Sequence, residues 1–231
     1  MEIGIIGAGN IGGTLTRRLT ELGHDVAVAN SRGPETLRDL ASETGATAVN
    51  VEEAARGREL VIVTIPEAKV PDLPSDLFAQ AGDDVVVVDT GNYYPRERDG
   101  RIDGIEDGTP ESQWVAGQLG RPVIKAFNNI YAQHLGENGR EAGEDGRIAL
   151  PVAGDDQHAK AVVMGLVDEL GFDPVDAGSL DDSWRQQPGS PVYTADLDAN
   201  DLTRGLAEAS PERTPQWRAT DESPGTYGDP R

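Results

Sequence analysis

The chain of 231 residues contains no cysteine. Disulfides, thiolate metal ligands, thiol nucleophiles and CxxC redox chemistry are therefore excluded. Its three histidines and many carboxylates show no HxxxH or EF-hand spacing, so we predict no metal site.

Basic residues are also scarce, with 20 Lys and Arg against 41 Asp and Glu and a formal net charge of -21. A surface of this sign repels phosphate backbones, which argues against partners such as nucleic acid or an anionic membrane. Lysine occurs only at positions 69, 125 and 160. An acid-rich, lysine-poor surface suits solubility at high salt and indicates a halophilic source, although a GC-rich genome is an alternative explanation.

Long apolar runs are missing as well. No stretch approaches the roughly 18 to 20 apolar residues that span a bilayer. The N-terminus reads as a strand rather than a signal peptide, so we expect a cytoplasmic protein. The length allows a substantial core and one or two domains.

The most informative pattern that is present is Gly-Ala-Gly-Asn-Ile-Gly at residues 7–12, between an apolar run at 2–6 and a helix-forming stretch at 13–22. The first glycine permits a sharp turn, the second lets the backbone approach a pyrophosphate, and the third lets the helix pack on the strand. This context predicts a dinucleotide site whose cofactor-binding residues include Gly7, Ala8, Gly9, Asn10, Ile11 and Gly12.

The end of the second predicted strand indicates which dinucleotide is bound. An NAD site usually has Asp or Glu about 20 residues beyond the glycines, but here the strand ends in Asn30, Ser31 and Arg32. A hydroxyl and a guanidinium can bind a 2'-phosphate, so we predict NADP(H). Arg32 also has the plainer interpretation of a solvated loop arginine.

Strand and helix patterns alternate along the chain, which is typical of a parallel sheet with crossover helices. We therefore predict a Rossmann-type doubly wound α/β fold with a mainly parallel sheet and a small C-terminal α/β extension. The further predicted strands lie at 25–29, 46–50, 60–65, 84–89, 122–127, 148–153 and 172–175. The further predicted helices lie at 34–44, from 51, at 110–119 and at 155–170. Residues 93–109 lack apolar periodicity and read as a surface loop.

Changes in amino-acid composition along the chain divide it into three parts. We predict an NADP-binding domain over 1–150, a substrate or dimerisation region over 151–209, and a flexible tail over 210–231, where Pro, Ser, Glu and Thr dominate.

These segments resemble the family of deazaflavin (coenzyme F-420)-dependent NADP oxidoreductases and their NADPH-binding relatives, including the cytosolic domains of STEAP-type metalloreductases. The resemblance covers roughly residues 1–185 and rests on GIIGAGNIGGTLTRRLTELGHDV, ANSR, VIVTIP, VIKAFNNI and VAGDDQHAKAVVMGLVDELGFDPVDAGSL. It implies that Ser31 and Arg32 bind the 2'-phosphate. It also implies that Thr64, Ile65 and Pro66 line the cofactor cleft and that residues 125–129, with Ala126 and Asn128, lie near the nicotinamide.

The pocket for the second substrate departs from the deazaflavin reductases, because DTGNYYPRERDG after the fifth strand is long and charged, and AFNN is closer to the metalloreductases. Candidate pocket residues are Asn92, Tyr93, Tyr94, Asn129 and His134. The tyrosines can stack on a planar ring or simply pack, and the asparagines can bind a carboxamide or cap a turn. His134 is a weak candidate for acid–base chemistry because no carboxylate is placed beside it in the sequence.

The resemblance implies an NADPH-dependent oxidoreductase that transfers hydride to a deazaflavin or another flavin-like acceptor, as a homodimer. Direct hydride transfer requires no catalytic side chain, because the cofactors carry the chemistry. Two alternatives remain: an imine or carbonyl reductase, with a proton donor near the nicotinamide, and a non-catalytic NADPH-binding sensor or partner subunit.

Overall fold

A computed structural model describes residues 1–224 of the protein. Its main sheet contains β1 (Glu2–Ile6), β2 (Asp25–Ala29), β3 (Thr47–Ala48), β4 (Leu60–Val63), β5 (Val86–Asp89) and β6 (Ile124–Lys125). All neighbouring strands are parallel, in the order β3-β2-β1-β4-β5-β6. This is the Rossmann order, with the switch point beside β1, so the predicted fold class is confirmed.

A second, two-stranded parallel sheet pairs β7 (Ala149–Val152) with β8 (Asp173–Asp176). The helices are α1 (Asn10–Glu21), α2 (Arg38–Thr44), α3 (Val51–Ala55), α4 (Asp103–Glu106), α5 (Glu111–Leu119), α6 (Ala132–Glu137), α7 (Gln157–Glu169) and α8 (Ala199–Glu208). Short 3-10 segments lie at Pro34–Leu37, Glu67–Asp72, Leu180–Gln186 and Pro215–Trp217, and a π-helical turn lies at Pro95–Asp99.

The central strands are apolar along their whole length because both faces of the sheet are covered. Successive residues of β1 serve different cores: Ile5 packs in the cluster that includes Leu15 and Leu19 of α1, whereas Ile6 packs with Ala54 and Ala55 of α3. Helices therefore lie on both faces, as a doubly wound sheet requires.

Several predicted boundaries are wrong by a few residues. Helix α1 begins at Asn10 rather than residue 13, so that Gly12 and Gly13 lie inside the helix. Strand β4 ends at Val63 rather than residue 65, and residues 64–66 leave the sheet. The predicted helix at 34–44 is a 3-10 turn followed by α2, and β6 has two residues where six were predicted.

The predicted surface loop at 93–109 is the clearest error. Tyr93 is fully buried, and the segment contains a π-helical turn and α4. Asp99 holds the turn together, since its carboxylate accepts hydrogen bonds from the backbone N–H of Tyr94 (2.8 Å) and of Ala68 (3.3 Å). Polar side chains, rather than a periodic apolar pattern, stabilise this segment by satisfying its buried backbone groups. Apolar periodicity in the sequence therefore could not predict it.

The small second sheet shares a core with the main one. Leu150, Val163 and Leu166 belong to the same buried cluster as Ile3 and Ile5. The predicted domain boundary at residue 150 falls within β7. Helix α7 begins as its sequence indicates, with the carboxylate of Asp156 accepting from two backbone N–H groups of its first turn, whereas α6 and α8 were not predicted.

Residues 211–224 lie against the main body through ion pairs and aromatic contacts. The predicted flexibility of 210–231 concerns motion and stays a prediction, and residues 225–231 lie outside the described residues. No helix between residues 1 and 224 is both long and apolar enough to cross a bilayer.

Candidate functional site

A cleft opens at the carboxyl ends of β1, β4, β5 and β6, where ligands bind in sheets of this class. Its cavity measures about 430 Å³. The predicted site residues that line it are Gly9, Asn10, Ile11, Thr64, Ile65, Pro66, Asn92, Tyr94 and Asn128. The remaining lining residues are Thr90, Gly91, Arg98, Phe127, Ile130, Tyr131, Ala132, Tyr193 and Thr194.

The nucleotide half of the cleft is made by the turn from β1 to α1. Gly7 has a φ of +112°, and a Cβ there would lie 2.2 Å from the Thr64 carbonyl oxygen. A Cβ on Gly12 would lie 1.9 Å from the Gly7 carbonyl oxygen, whereas one on Gly9 would meet no atom of residues 1–224 within 4 Å. Two glycines are therefore needed for packing, and the third leaves room in front of the helix.

This open space fits a phosphate. Gly9 is the N-cap of α1, and no side chain among residues 1–224 caps the helix. The first turn of α1 carries no acidic residue. Its free N–H groups and the positive end of the helix dipole can therefore receive an anion.

The end of β2 lies beside this turn, because β1 and β2 are paired. Asn30 organises it: its side-chain oxygen accepts from the Arg32 backbone N–H (2.9 Å), and its amide nitrogen donates to Thr36 (2.9 Å). Ser31 and Arg32 are exposed. Within residues 1–224 the Arg32 guanidinium has no hydrogen-bond or ion-pair partner, so it is available to a ligand phosphate.

The other half of the cleft, which we name the acceptor half for the role proposed below, is aromatic. Tyr94 and Tyr193 share a hydrogen bond between their hydroxyls, and Arg98 lies 5.0 Å from the centre of the Tyr94 ring. Burial raises the pKa of both phenols, so both stay protonated. Phe127 adds an apolar surface and has a φ of +62°, a strained conformation for a residue with a side chain.

A network of buried and half-buried amides supports this half. The Asn128 side-chain nitrogen donates to Asn92 (3.0 Å) and to the Gln186 carbonyl (2.7 Å), and its oxygen accepts from the Gln186 side chain (2.9 Å). Asn92 donates back to the Asn128 carbonyl (2.8 Å). Both N–H groups of Asn128 are committed to the protein, which favours a structural role for its side chain.

Other predicted residues lie away from the cavity. Tyr93 points into the interior, where its hydroxyl accepts from the Ile102 N–H (3.0 Å), and Ala126 is fully buried in the core. Asn129 is buried and donates to the Val192 carbonyl (3.4 Å). His134 lies on α6, with its Nδ1 atom 2.5 Å from the Asp196 carboxylate, a partner 62 residues away that the sequence did not reveal.

Ionisable groups fill the space under the floor of the cleft. Lys125 is fully buried and donates to the Gly91 carbonyl (2.5 Å) and to Asp89 (3.2 Å). Glu67 and Glu111 are also fully buried, and the carboxylate oxygens of Glu67 find no hydrogen-bond partner within residues 1–224. Lys125 is therefore buried beneath the carbonyl of a cavity residue rather than exposed in the cavity.

Burial controls the protonation of this group. Burial, with help from Glu111, raises the pKa of Glu67 well above its usual range. Burial also raises the pKa of Glu111. For Lys125, burial alone would lower the pKa, but Asp89, Glu111 and Glu67 more than offset it, and the pKa is raised. The cluster therefore contains a charged lysine and at least one carboxyl that holds its proton more tightly than in water.

A parallel sheet of this order, with a glycine-rich β1–α1 turn facing an open cleft, defines a Rossmann-type dinucleotide-binding protein. Residues 2–93 match the family model described as NADP oxidoreductase, coenzyme F420-dependent. The match lies in the nucleotide-binding half of the chain and confirms the resemblance to NADP-dependent oxidoreductases that the sequence predicted.

Individual relatives agree with this placement. The protein YjhV of Escherichia coli K12 is 50% identical over 86 residues, which cover 37% of this chain and 56% of that protein. The metalloreductase STEAP3 of Rattus norvegicus is 29% identical over 180 residues, covering 78% of this chain and 34% of that protein. The matches therefore span about half or less of these curated relatives.

A solved structure extends the likeness beyond the nucleotide half. The crystal structure of protein SMa0349 from Sinorhizobium meliloti superimposes with a TM-score of 0.71 at 30% identity. The match covers 85% of this chain and 95% of that one. The shared fold therefore extends well beyond residues 2–93.

Proposed function

We propose that the protein is an NADPH-dependent reductase that passes a hydride to a planar, flavin-like acceptor, with a deazaflavin as the first candidate. One observation carries the proposal: a single cavity runs from the open N-terminus of α1, at Gly9 and Asn10, to the aromatic wall of Tyr94 and Tyr193. Such a cavity can hold a nicotinamide and a second ring side by side.

NADPH, when bound, supplies the hydride, and the protein binds and orients the reactants. The free N–H groups of the first turn of α1 bind the pyrophosphate. Ser31 binds the 2'-phosphate with its hydroxyl, and Arg32 binds it with its guanidinium group. Thr64, Ile65 and Pro66 border the path between these phosphates and the aromatic wall.

The acceptor wall offers stacking surface and hydrogen-bond donation. Because burial raises the pKa of Tyr94 and Tyr193, both phenols are neutral at working pH. One of their two O–H groups is used within the pair, so the other is free to donate to a carbonyl or ring nitrogen of an acceptor. This chemistry suits a polar heteroaromatic ring.

The acceptor is tested by stopped-flow oxidation of NADPH at high salt, with oxidised deazaflavin, FMN, FAD and no acceptor measured side by side. We expect rapid oxidation with deazaflavin and slow oxidation without an acceptor. Tight NADPH binding without oxidation by any of them would overturn the proposal in favour of a sensor or partner subunit.

Cofactor choice is tested with Arg32→Glu, which replaces the guanidinium at the end of β2 with a repelling charge. We expect the NADPH dissociation constant to rise by about 10- to 100-fold, the range for one charge-assisted contact, and the NADH constant to change little. Arg38→Glu is the matched control, since it makes the same charge change on exposed α2. Equal losses for both nucleotides would contradict the role of Arg32.

A second function is supported by the His134–Asp196 pair. His134 stacks edge-on against Tyr131, which lines the cavity, with 5.4 Å between ring centres. A histidine oriented by a carboxylate is a suitable proton donor for an imine or carbonyl. This function predicts NADPH oxidation by a cyclic imine without flavin and its loss in His134→Asn.

A further inference from the structure

The C-terminal strap, defined as residues 211–221, is attached behind the aromatic wall of the cleft at three positions. These are Arg213, Trp217 and Arg218 with its neighbours. None of the three lines the cavity, so the strap does not contact the space that a ligand occupies.

The first attachment is an ion pair in the interior. Arg213 Nη1 lies 3.1 Å from a carboxylate oxygen of Glu111, whose side chain is fully buried. The Arg213 side chain is itself only 14% exposed. The same guanidinium lies 4.8 Å from the centre of the Tyr93 ring and donates to the Tyr93 carbonyl (3.4 Å). Arg213 thus contacts the residue immediately before Tyr94.

The charge balance under the cleft explains why this arginine is needed. Glu67, Asp89 and Glu111 are buried together with one internal cation, Lys125. Arg213 supplies a second cation to the same group. Because an uncompensated buried carboxylate is costly, the cluster favours the attached strap.

The second attachment is aromatic. The Trp217 ring lies 6.1 Å from that of Tyr94 and 6.2 Å from that of Tyr193, in tilted and edge-on arrangements. Gly189 makes room for it, since a Cβ there would lie 2.5 Å from the indole. Trp217 therefore packs against both members of the acceptor wall, which are 99 residues apart in sequence.

The third attachment fixes the end of the strap. The buried carboxylate of Glu106 accepts from the Ala219 backbone N–H (2.7 Å) and from Arg218 (3.3 Å). Arg96 donates to the Thr220 carbonyl (3.3 Å). Glu106 and Arg96 both belong to the segment that follows Tyr94, so the strap and the wall-bearing segment are connected along their length.

We propose that the C-terminal strap is a positioning element of the acceptor site: by holding Tyr94 and Tyr193 in place, it is required for acceptor reduction and not for NADPH binding. The inference rests on the proposed function for its kinetic consequence. Its structural part, the ordering of the Tyr94 segment, is independent of which acceptor is used.

The test compares Arg213→Met and Trp217→Ala in the full chain with wild type. We expect kcat/KM for oxidised deazaflavin to fall by about tenfold or more, while the NADPH dissociation constant stays within about twofold. Trp217→Phe, which keeps an aromatic ring, is expected to recover most of the activity. Arg204→Met is the matched control, because Arg204 lies outside the strap, on α8, and forms an exposed ion pair with Asp201.

Two further measurements keep the outcome clear. Arg213→Met leaves Glu111 buried without its cation, so the double variant Glu111→Gln/Arg213→Met tests the strap with both charges removed. Hydrogen exchange of residues 92–99 is followed in every variant, and we expect it to accelerate by about tenfold in the strap variants only.

The outcomes separate the two proposals. Wild type that binds NADPH but reduces none of the acceptors overturns the proposed function, and hydrogen exchange then still decides whether the strap orders the wall. Active wild type with unchanged kinetics and exchange in the folded variants overturns the strap inference alone. Equal losses in NADPH binding and acceptor reduction also overturn it, since they indicate general damage.

Discussion

The two halves of the cleft are built in different ways. The part of the nucleotide half that faces the pyrophosphate in our proposal comes from one continuous stretch, residues 7–12. It consists mainly of backbone: glycines, free N–H groups and a helix terminus. The acceptor half brings together side chains from the segments that follow β5 and β6 and from the segment around Tyr193. Buried amides, buried charges and the C-terminal strap support them. A backbone site depends on local conformation, whereas a side-chain site depends on the whole tertiary structure.

This difference separates what each half tolerates. In the nucleotide half, a single added carbon decides whether a ligand can approach. In the acceptor half, a change acts through neighbouring side chains. Asn128 forms hydrogen bonds with both Asn92 and Gln186, so its removal leaves polar groups of its neighbours unpaired. Four substitutions test this contrast.

The largest effect is expected for the glycines. Gly9→Ala should fold, at a cost of about 1 kcal/mol for the altered N-cap, and raise the NADPH dissociation constant by about 100-fold, because the new methyl group occupies the space for the pyrophosphate. Gly12→Ala should destabilise the fold itself, by about 3 kcal/mol or more, since its Cβ would lie 1.9 Å from a carbonyl oxygen. Thermal unfolding and fluorescence titration measure the two quantities. Wild-type affinity in Gly9→Ala would show that the pyrophosphate binds elsewhere.

An intermediate effect is expected for Asn128→Ala in the acceptor half. Loss of its amide leaves the Gln186 carbonyl and the Asn92 oxygen without this donor, and the Gln186 side chain keeps only its hydrogen bond to the Pro151 carbonyl. The free energy of unfolding should therefore fall by about 2–3 kcal/mol. Denaturant unfolding measures this value, with the exposed Asn200→Ala on α8 as the control. A change no larger than that of the control would mean that water replaces the lost hydrogen bonds.

The smallest effect is expected for Glu67→Gln and appears as a pH dependence. The folded-state pKa of Glu67 is raised by burial and by Glu111, with Asp89 and Asp99 adding to the shift and Lys125 opposing it. Stability from the protonated carboxyl is therefore fully present below the unfolded pKa and is lost as the pH rises through the folded pKa. Each unit between the two values is worth about 1.4 kcal/mol.

Glu67→Gln removes this titration. The free energy of unfolding of the variant should therefore increase relative to that of wild type as the pH rises above about 4.5. Urea unfolding between acidic and alkaline pH measures the difference, and the exposed Glu52→Gln serves as control. Parallel curves for Glu67→Gln and wild type would contradict the raised pKa.

How much of the fold could be predicted from sequence also differs between backbone-determined and side-chain-determined regions. Apolar runs and the glycine motif were enough to predict the parallel sheet, because strands buried on both faces must be apolar and a tight strand-to-helix turn requires glycine. Short polar segments were predicted poorly. The interior position of Tyr93 and the π-helical turn after it depend on Asp99, whose capping contacts leave no periodic trace in sequence.

The candidate site divides in the same manner. Residues 9–11, 64–66, Asn92, Tyr94 and Asn128 were predicted and line the cavity, whereas Arg98, Ile130 and Tyr131 were missed. Arg98 and Tyr131 look like ordinary surface residues in sequence. Only the packing of their segments brings them to the cleft.

The sequence by itself determined the Rossmann-type sheet and the glycine-rich turn from β1 to α1, because these depend on local periodicity and on glycines at fixed spacing. Tertiary structure decided which tyrosine faces the cavity, that Lys125 lies beneath the floor of the cleft, and that residues 211–221 are attached behind the aromatic wall. Those features arise from contacts between side chains about 100 residues apart or from burial of charge, and neither leaves a pattern along the chain.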